Sequence, residues 1–155
     1  PDLLIADEAT TALDATVQAE ILKLLNSLCA EQGAALLFIS HNLGVVAQLC
    51  DRALVMYAGR VVEEASVETL LSRPAHPYTR ALIACSPRLG RPDGSLSPIA
   101  GQPPPMNELP AGCHFAPRCD YAQAECLEQT PELRPFRDVD RVRCIKAEEL
   151  DPWDA

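Results

Sequence analysis

The chain has 155 residues, a formal net charge of −9, an aromatic content of 5% and seven cysteines. The acidic balance disfavours nonspecific binding to nucleic acids, whose phosphates attract a basic face, so we expect no nucleic-acid partner. No apolar run approaches the roughly 18 residues of a membrane span, and no signal-peptide pattern opens the sequence. We therefore expect a soluble, intracellular chain.

The first part of the chain alternates strand and helix patterns. An apolar run at 3–6 predicts a strand buried on both faces, followed at its carboxyl end by two acids. Helical spacing predicts a helix over 15–32, with Asp14 as N-cap and Gly33 as the residue that ends it. A second buried strand is predicted over 35–39, with a short helix after it. This order predicts an α/β core with parallel strands, and a chain that begins on such a strand is expected to be a fragment.

The later part has a hairpin pattern and then changes character. Strands are predicted over 53–57 and 60–63, joined at Ala58 and Gly59, with helices starting after Ser66 and at Pro77. Seven prolines between residues 87 and 110 predict a linker. The predicted division is therefore a domain over 1–86, a proline-rich linker over 87–110 and a small, irregular four-cysteine tail over 111–155.

The polar residues at the predicted strand ends are the candidates for catalysis. Asp7 and Glu8 follow the first strand, and His41 follows the second. Because parallel strands place their carboxyl ends side by side, all three side chains are expected in one crevice. One acid there can hold Mg²⁺ and the next can polarise a water for attack on phosphate. The alternative is that both acids only end a strand and begin a turn.

Three segments, in this order, resemble the motifs of ABC-transporter ATPases. The segment LLIADE (3–8) resembles the Walker B strand, TALD (11–14) resembles the D-loop, and Ser-His (40–41) resembles the switch-histidine loop. The resemblance implies a partial P-loop NTPase core. It also implies that Asp7 supports Mg²⁺, Glu8 is the general base, His41 contacts the γ-phosphate region of ATP, and Asp14 communicates across a nucleotide-sandwiched dimer.

Further segments resemble the ATPase subunits of oligopeptide and dipeptide importers. They are LGVVA (43–47), VMYAGRVVE (55–63) and HPYTRAL (76–82). Two departures are Ala9, where the family usually has proline, and Asn42, where it often has aspartate. The resemblance implies peptide uptake, with nickel or glutathione as alternative cargo. It further implies an identical or paralogous second ATPase subunit, transmembrane permease partners, and a peripheral location at the cytoplasmic face of the cell membrane.

The 155 residues contain no G-x-x-x-x-G-K-[ST] phosphate loop, no Q-loop pattern and no LSGGQ-type signature. The phosphate loop supplies most of the hold on ATP, so we expect no useful ATP affinity from this segment alone. An alternative hypothesis follows, in which the segment is a noncatalytic, truncated module that binds a metal centre and docks on a transporter.

Four cysteines lie in the polar tail with the spacing C-x5-C-x6-C-x17-C: Cys113, Cys119, Cys126 and Cys144. Four thiolates can hold zinc or an iron–sulfur cluster, and the spacing lacks the close pairs of zinc ribbons. Composition alone leaves both metals open. The tail resembles the C-terminal extension of peptide-importer ATPases, which implies a [4Fe–4S] cluster on these cysteines, with Zn²⁺ as the alternative.

Overall fold

The computed structural model describes residues 1–10, 13–86 and 98–150. The chain divides into two compact units, Pro1–Cys50 and the residues from Asp51 onward, and each is described by itself. The elements of the first unit are β1 (Leu3–Asp7), α1 (Ala15–Gln32), β2 (Ala35–Ile39) and α2 (Leu43–Leu49). Those of the second are β3 (Arg52–Tyr57), β4 (Arg60–Ser66), α3 (Val67–Ser72), α4 (Pro77–Ala84), a 3₁₀ turn (Ala116–Arg118), α5 (Ala124–Glu128), β5 (Arg134–Pro135) and β6 (Arg141–Val142).

The first unit contains the predicted parallel strands. β1 pairs with β2 in parallel, in a register from Leu3 opposite Ala35 to Asp7 opposite Ile39. The connecting helix α1 begins where the sequence predicts, because the Asp14 side chain accepts hydrogen bonds from the first backbone N–H groups of the helix. It ends at Gly33, whose φ of 66° is a left-handed conformation that glycine adopts without a Cβ clash. The α/β character of this unit is confirmed.

The prediction that both strands are buried on both faces is wrong for one face. Leu3 and Ile5 of β1 are 49% and 60% exposed, and Leu37 and Ile39 of β2 are similarly open. The residues between them in β1 and β2 are more buried. In a strand, successive side chains point to opposite faces, so only one side of this pair is shielded within the described residues.

The second unit begins with the predicted hairpin. β3 and β4 pair antiparallel, with an irregularity between Val55 and Met56. α3 is capped by Ser66, whose hydroxyl accepts from the N–H of Thr69 at 3.1 Å. α4 starts at Pro77, which suits the first turn because its missing N–H would have no helical partner. These elements confirm the sequence-based expectations.

The tail is more ordered than predicted. β6 pairs antiparallel with β4, Val142 lying opposite Glu63 and Arg141 opposite Glu64, and β5 pairs with β6. The strand order is therefore β3-β4-β6-β5. The expectation of an irregular tail is wrong in this respect, because the hairpin offers β4 as a partner that local sequence patterns do not reveal. The division at residues 86 and 110 stays a prediction.

The core of this unit is partly aromatic. The ring of Tyr57 lies 4.7 Å from that of Tyr78 and 5.2 Å from that of Phe115, measured between centroids. Of the predicted linker, residues 87–97 lie outside the described residues, and the part from 98 onward lies near this core. There Arg118 donates hydrogen bonds to the carbonyls of Ile99 and Ala100. No described helix has both the length and the apolar character needed to cross a bilayer.

Candidate functional site

Glu8 and His41 lie close together in the first unit. Nδ1 of His41 is 3.2 Å from Oε1 of Glu8, although 33 residues separate them in sequence. Parallel pairing produces this proximity, because it aligns the last residues of β1 with those of β2. The side chains are 52% exposed for Glu8 and 71% for His41, so both are open to a ligand. The structure thus brings together the acid and imidazole that the sequence placed at one crevice.

The backbone around Glu8 has a distinctive conformation. Its N–H donates to the carbonyl of Ile39 at 3.0 Å, which extends the parallel ladder by one residue. Its φ is 47°, a left-handed value that is uncommon for residues other than glycine. Such conformations are retained where surrounding structure fixes them, and they concentrate at functional sites. The chain therefore turns at Glu8 directly after the strand.

The two aspartates predicted to contact nucleotide have different environments. Asp7 is the last residue of β1 and is exposed. The Asp14 carboxylate accepts hydrogen bonds from the N–H groups of Thr16 and Val17, both at 3.0 Å. Asp14 is therefore the N-cap of α1, as predicted. Its contact across a dimer, like the roles of the other site residues, stays a prediction.

The four tail cysteines line one cavity of the second unit. Cys113 and Cys119 flank the 3₁₀ turn, Cys126 lies in α5 and Cys144 follows β6. The backbone brings these segments together, since the N–H of Cys113 donates to the carbonyl of Cys126 at 2.8 Å. All four are free thiols. The predicted ligands thus share a cavity, but no group of three or more His, Cys, Asp or Glu in the described ranges has the geometry to hold a metal ion.

The electrostatics of these thiols reflect burial and mutual proximity. Desolvation raises the pKa of Cys119 to about 11 and that of Cys144 to about 12, and the neighbouring cysteines add to both shifts. Desolvation also raises the pKa of Cys113. Backbone N–H groups oppose these shifts: those of Phe115, Tyr121 and Lys146 act on the cysteines two residues before them. The last of these is a hydrogen bond to Cys144 Sγ at 3.4 Å.

Two buried polar residues near this cavity were not singled out by sequence reasoning. Glu63 is 2% exposed, and its carboxylate accepts from the N–H groups of Ala75 and His76 at 2.7 and 2.8 Å. Burial raises the pKa of Glu63, while the Thr79 side chain and these N–H groups lower it. Glu63 is one of two successive glutamates in β4, and nothing in the strand sequence RVVEEAS marks it as the buried one.

His76 is the second of these residues. It is 1% exposed and lines the cavity of the four cysteines. Burial lowers the pKa of His76 to about 3; the backbone of Arg143 opposes this shift, and the charges of Arg143 and Arg80 add to it. His76 is therefore neutral near physiological pH. The only sequence signal was its membership of the HPYTRAL segment.

Comparisons with known proteins show what this chain is similar to. Residues 62–126 match the family described as the oligopeptide/dipeptide transporter C-terminal region. A "probable peptide ABC transporter ATP-binding protein" of Sinorhizobium fredii is 49% identical, over 97% of this chain and 45% of the relative. The oligopeptide transport ATP-binding protein AppD of Bacillus subtilis is 45% identical, over 96% of this chain and 45% of the relative. OppD of Mycobacterium tuberculosis, also named an oligopeptide transport ATP-binding protein, is 52% identical over 96% of this chain and 24% of the relative.

This chain is thus similar, over nearly all of its length, to ATP-binding proteins of peptide ABC transporters, and its residues 62–126 match the family model of the oligopeptide/dipeptide transporter C-terminal region. It spans about half the length, or less, of the curated relatives it matches.

Proposed function

We propose that the protein containing this chain hydrolyses ATP to drive uptake of oligopeptides or dipeptides, as the ATP-binding subunit of an ABC importer. The observation that best supports the proposal is the 3.2 Å approach of His41 Nδ1 to Glu8 Oε1 at the carboxyl ends of two parallel strands. Ligands of α/β proteins bind at such ends. The names of the relatives support the same activity and solute class.

Each residue has a distinct role in this proposal. Glu8 orients and polarises the water that attacks the γ-phosphate, and His41 fixes the Glu8 carboxylate and approaches the same phosphate. Asp7 holds Mg²⁺, chiefly through water, and that ion neutralises charge on the phosphates. Asp14 caps the start of α1 and communicates with a second ATPase subunit across the nucleotide.

The proposed assembly has two ATP-binding subunits, identical or paralogous, and membrane-spanning permease subunits. Two ATP molecules lie between the ATPase subunits, each of which completes the site of the other, and closure is transmitted to the permease. This arrangement places the subunit peripherally at the cytoplasmic face of the cell membrane. Nickel and glutathione are alternative solutes, and uptake assays with a peptide series and with each alternative distinguish them.

The test of the hydrolytic role is the substitution Glu8→Gln in the full-length subunit, assembled with its partners. Gln retains the size of the side chain but removes the carboxylate, so ATP turnover should be abolished while ATP binding remains. Glu20→Gln is the matched control, because Glu20 is an exposed acid on α1 away from the strand ends. Turnover by Glu8→Gln near the original rate would show that Glu8 is not the general base.

The metal centre we propose is a [4Fe–4S] cluster on Cys113, Cys119, Cys126 and Cys144. Four thiols that line one cavity are the number and type of donors that such a cluster needs. When bound, the centre supplies a cross-link between three separated parts of the tail and so stabilises the unit. We thus assign Mg²⁺ to Asp7 in the first unit and the cluster to the four tail cysteines in the second unit.

Anaerobic purification followed by iron, sulfide and zinc analysis tests the metal. A brown protein with about four irons and four sulfides per chain supports the cluster. A colourless protein with stoichiometric zinc would show that the cysteines form a zinc site instead. A metal-free protein would contradict the proposal of any metal centre.

A further inference from the structure

A hydrogen-bonded turn encloses His41 between the end of β2 and the start of α2. His41 is the middle one of the three residues that connect these elements. The hydroxyl oxygen of Ser40 accepts a hydrogen bond from the backbone N–H of Asn42 at 3.0 Å, so the bond spans His41. Serine side chains form such local bonds to the backbone two residues on, and they compete well there with other conformations. The hydroxyl of Ser40 thus restricts the backbone of His41.

The far end of this turn is anchored at Asn42. Its side-chain oxygen accepts from the N–H of Gly44 at 3.0 Å, and its carbonyl accepts from the N–H groups of Val45 and Val46. Val45 is 5% exposed, so packing holds the start of α2 in place. The hydroxyl of Ser40 is therefore bonded to a part of the backbone that is itself fixed.

The imidazole of His41 depends on this turn, because packing holds it only weakly. Its side chain is 71% exposed, and its Nδ1 lies 3.2 Å from Oε1 of Glu8. The backbone of Glu8 is fixed from the same strand end, since its N–H donates to the carbonyl of Ile39 at 3.0 Å. Ile39 directly precedes Ser40. The separation of the acid and the imidazole is thus set by the backbone of residues 39–42.

We propose that Ser40 is a positioning residue for ATP hydrolysis: its hydroxyl fixes the turn that holds the His41 imidazole against the Glu8 carboxylate. The inference rests on the hydrolytic role of Glu8 proposed above. Ser40 acts through His41 and has no contact with nucleotide in this role. Catalytic groups act efficiently only when they are held in the reacting geometry, so loss of the hydroxyl should lower the rate of hydrolysis without weakening the binding of ATP.

The substitution Ser40→Ala in the full-length subunit, assembled with its partners, tests the proposal. Alanine removes the acceptor, and we expect kcat for ATP hydrolysis to fall about 5-fold, the factor that corresponds to one hydrogen bond of ordinary strength, with KM for ATP unchanged. Ser40→Thr keeps a hydroxyl and should recover most of this loss. Ser72→Ala is the matched control, because the Ser72 hydroxyl in α3 also bonds to backbone, donating to the carbonyl of Glu68 at 2.8 Å.

Three results would overturn the role of Ser40. The first is an equal kcat in Ser40→Ala and Ser72→Ala, and the second is a loss in Ser40→Thr as large as in Ser40→Ala. The third is a raised KM for ATP with kcat unchanged, which would make the hydroxyl a nucleotide ligand. If Ser40→Ala does not fold, Ser40→Cys takes its place, since a thiol is similar in size but a weak acceptor. Wild-type turnover by Ser40→Cys would then overturn the role.

A double substitution shows whether Ser40 acts through His41. If it does, adding Ser40→Ala to His41→Ala should not lower the single-turnover rate further, whereas independent effects would multiply and would contradict the proposal. Glu8→Gln separates this inference from the function on which it rests. Loss of turnover in Glu8→Gln but not in Ser40→Ala overturns the role of Ser40 alone. Turnover by Glu8→Gln near the original rate overturns both.

Discussion

Gly112 lies directly against the backbone of Cys126 and Leu127. A Cβ at position 112 would be 2.6 Å from the carbonyl carbon of Leu127, closer than real Cβ atoms approach, and it would also meet the carbonyl oxygen of Cys126. The neighbouring N–H of Cys113 donates to that same oxygen. Two of the cysteine-bearing segments are therefore held together at a point where only glycine fits.

The substitution Gly112→Ala should separate these segments. Because the obstructing atoms are backbone, they cannot move aside cheaply, and we expect a loss of about 1–3 kcal/mol in the free energy of unfolding. Metal content after anaerobic purification should fall as well. Urea unfolding and iron analysis are the measurements. Gly44→Ala is the control, since the atom nearest its Cβ is a side-chain oxygen of Asn42, at 3.2 Å. Equal effects from both substitutions would refute the argument from close packing.

Asp14 allows its structural and functional roles to be separated. Asp14→Ala removes the N-cap of α1 and should cost about 1 kcal/mol of unfolding free energy. Asp14→Ser retains a capping oxygen and should restore most of that stability. If Asp14 also contacts a second ATPase subunit, both variants of the full-length protein should lose ATP turnover, although only the first is destabilised. Full ATP turnover by Asp14→Ser would show that the only role of Asp14 is to cap α1.

Glu63 should give the second unit a measurable dependence on pH. Desolvation raises the pKa of its folded-state carboxyl above the ordinary 4.5, so the folded chain binds a proton that the unfolded chain has already lost. Stability from this group is present below pH 4.5 and decreases as pH rises through the folded-state pKa. The charges and donors around it are Arg137, Thr79 and the N–H groups of Ala75 and His76, all of which limit the shift.

The comparison of wild type with Glu63→Gln isolates this contribution. Gln places an NH₂ group against a backbone N–H donor, so one donor faces another. At pH values where the wild-type carboxyl keeps its hydrogen bonds, we expect Glu63→Gln to lower the free energy of unfolding by about 1–3 kcal/mol. The stability of wild type relative to the variant should decrease as the pH rises from 4.5 through the folded-state pKa of Glu63, as measured by urea unfolding. A difference that is constant, or that increases with pH, contradicts the raised pKa.

The sequence predicts those features of this chain that depend on neighbouring residues. Asp14 and Gly33 delimit α1 because caps act on the backbone within a few residues of them. The approach of Glu8 to His41 could also be predicted, although it is distant in sequence, because parallel strands with one crossover helix leave few other arrangements. The roles of these residues in catalysis stay predictions.

The features that could not be predicted depend on pairings across the whole second unit. β6 has two residues, too few for a strand pattern, and it forms because β4 offers it backbone partners. The burial of Glu63 depends on two N–H groups that precede α4, and the position of His76 beside the cysteines depends on how α4 packs. None of these has a local signature in composition or periodicity.

The pairing of β6 with β4 has a consequence for incomplete chains. Until Arg141 and Val142 have been synthesised, the outer side of β4 at Glu63 and Glu64 lacks the antiparallel neighbour it has in the finished fold. An exposed strand edge of this kind is a template for pairing with another molecule. Products that end before Arg141 should therefore self-associate through β4, and any engineered shortening of the protein should leave Val142 in place.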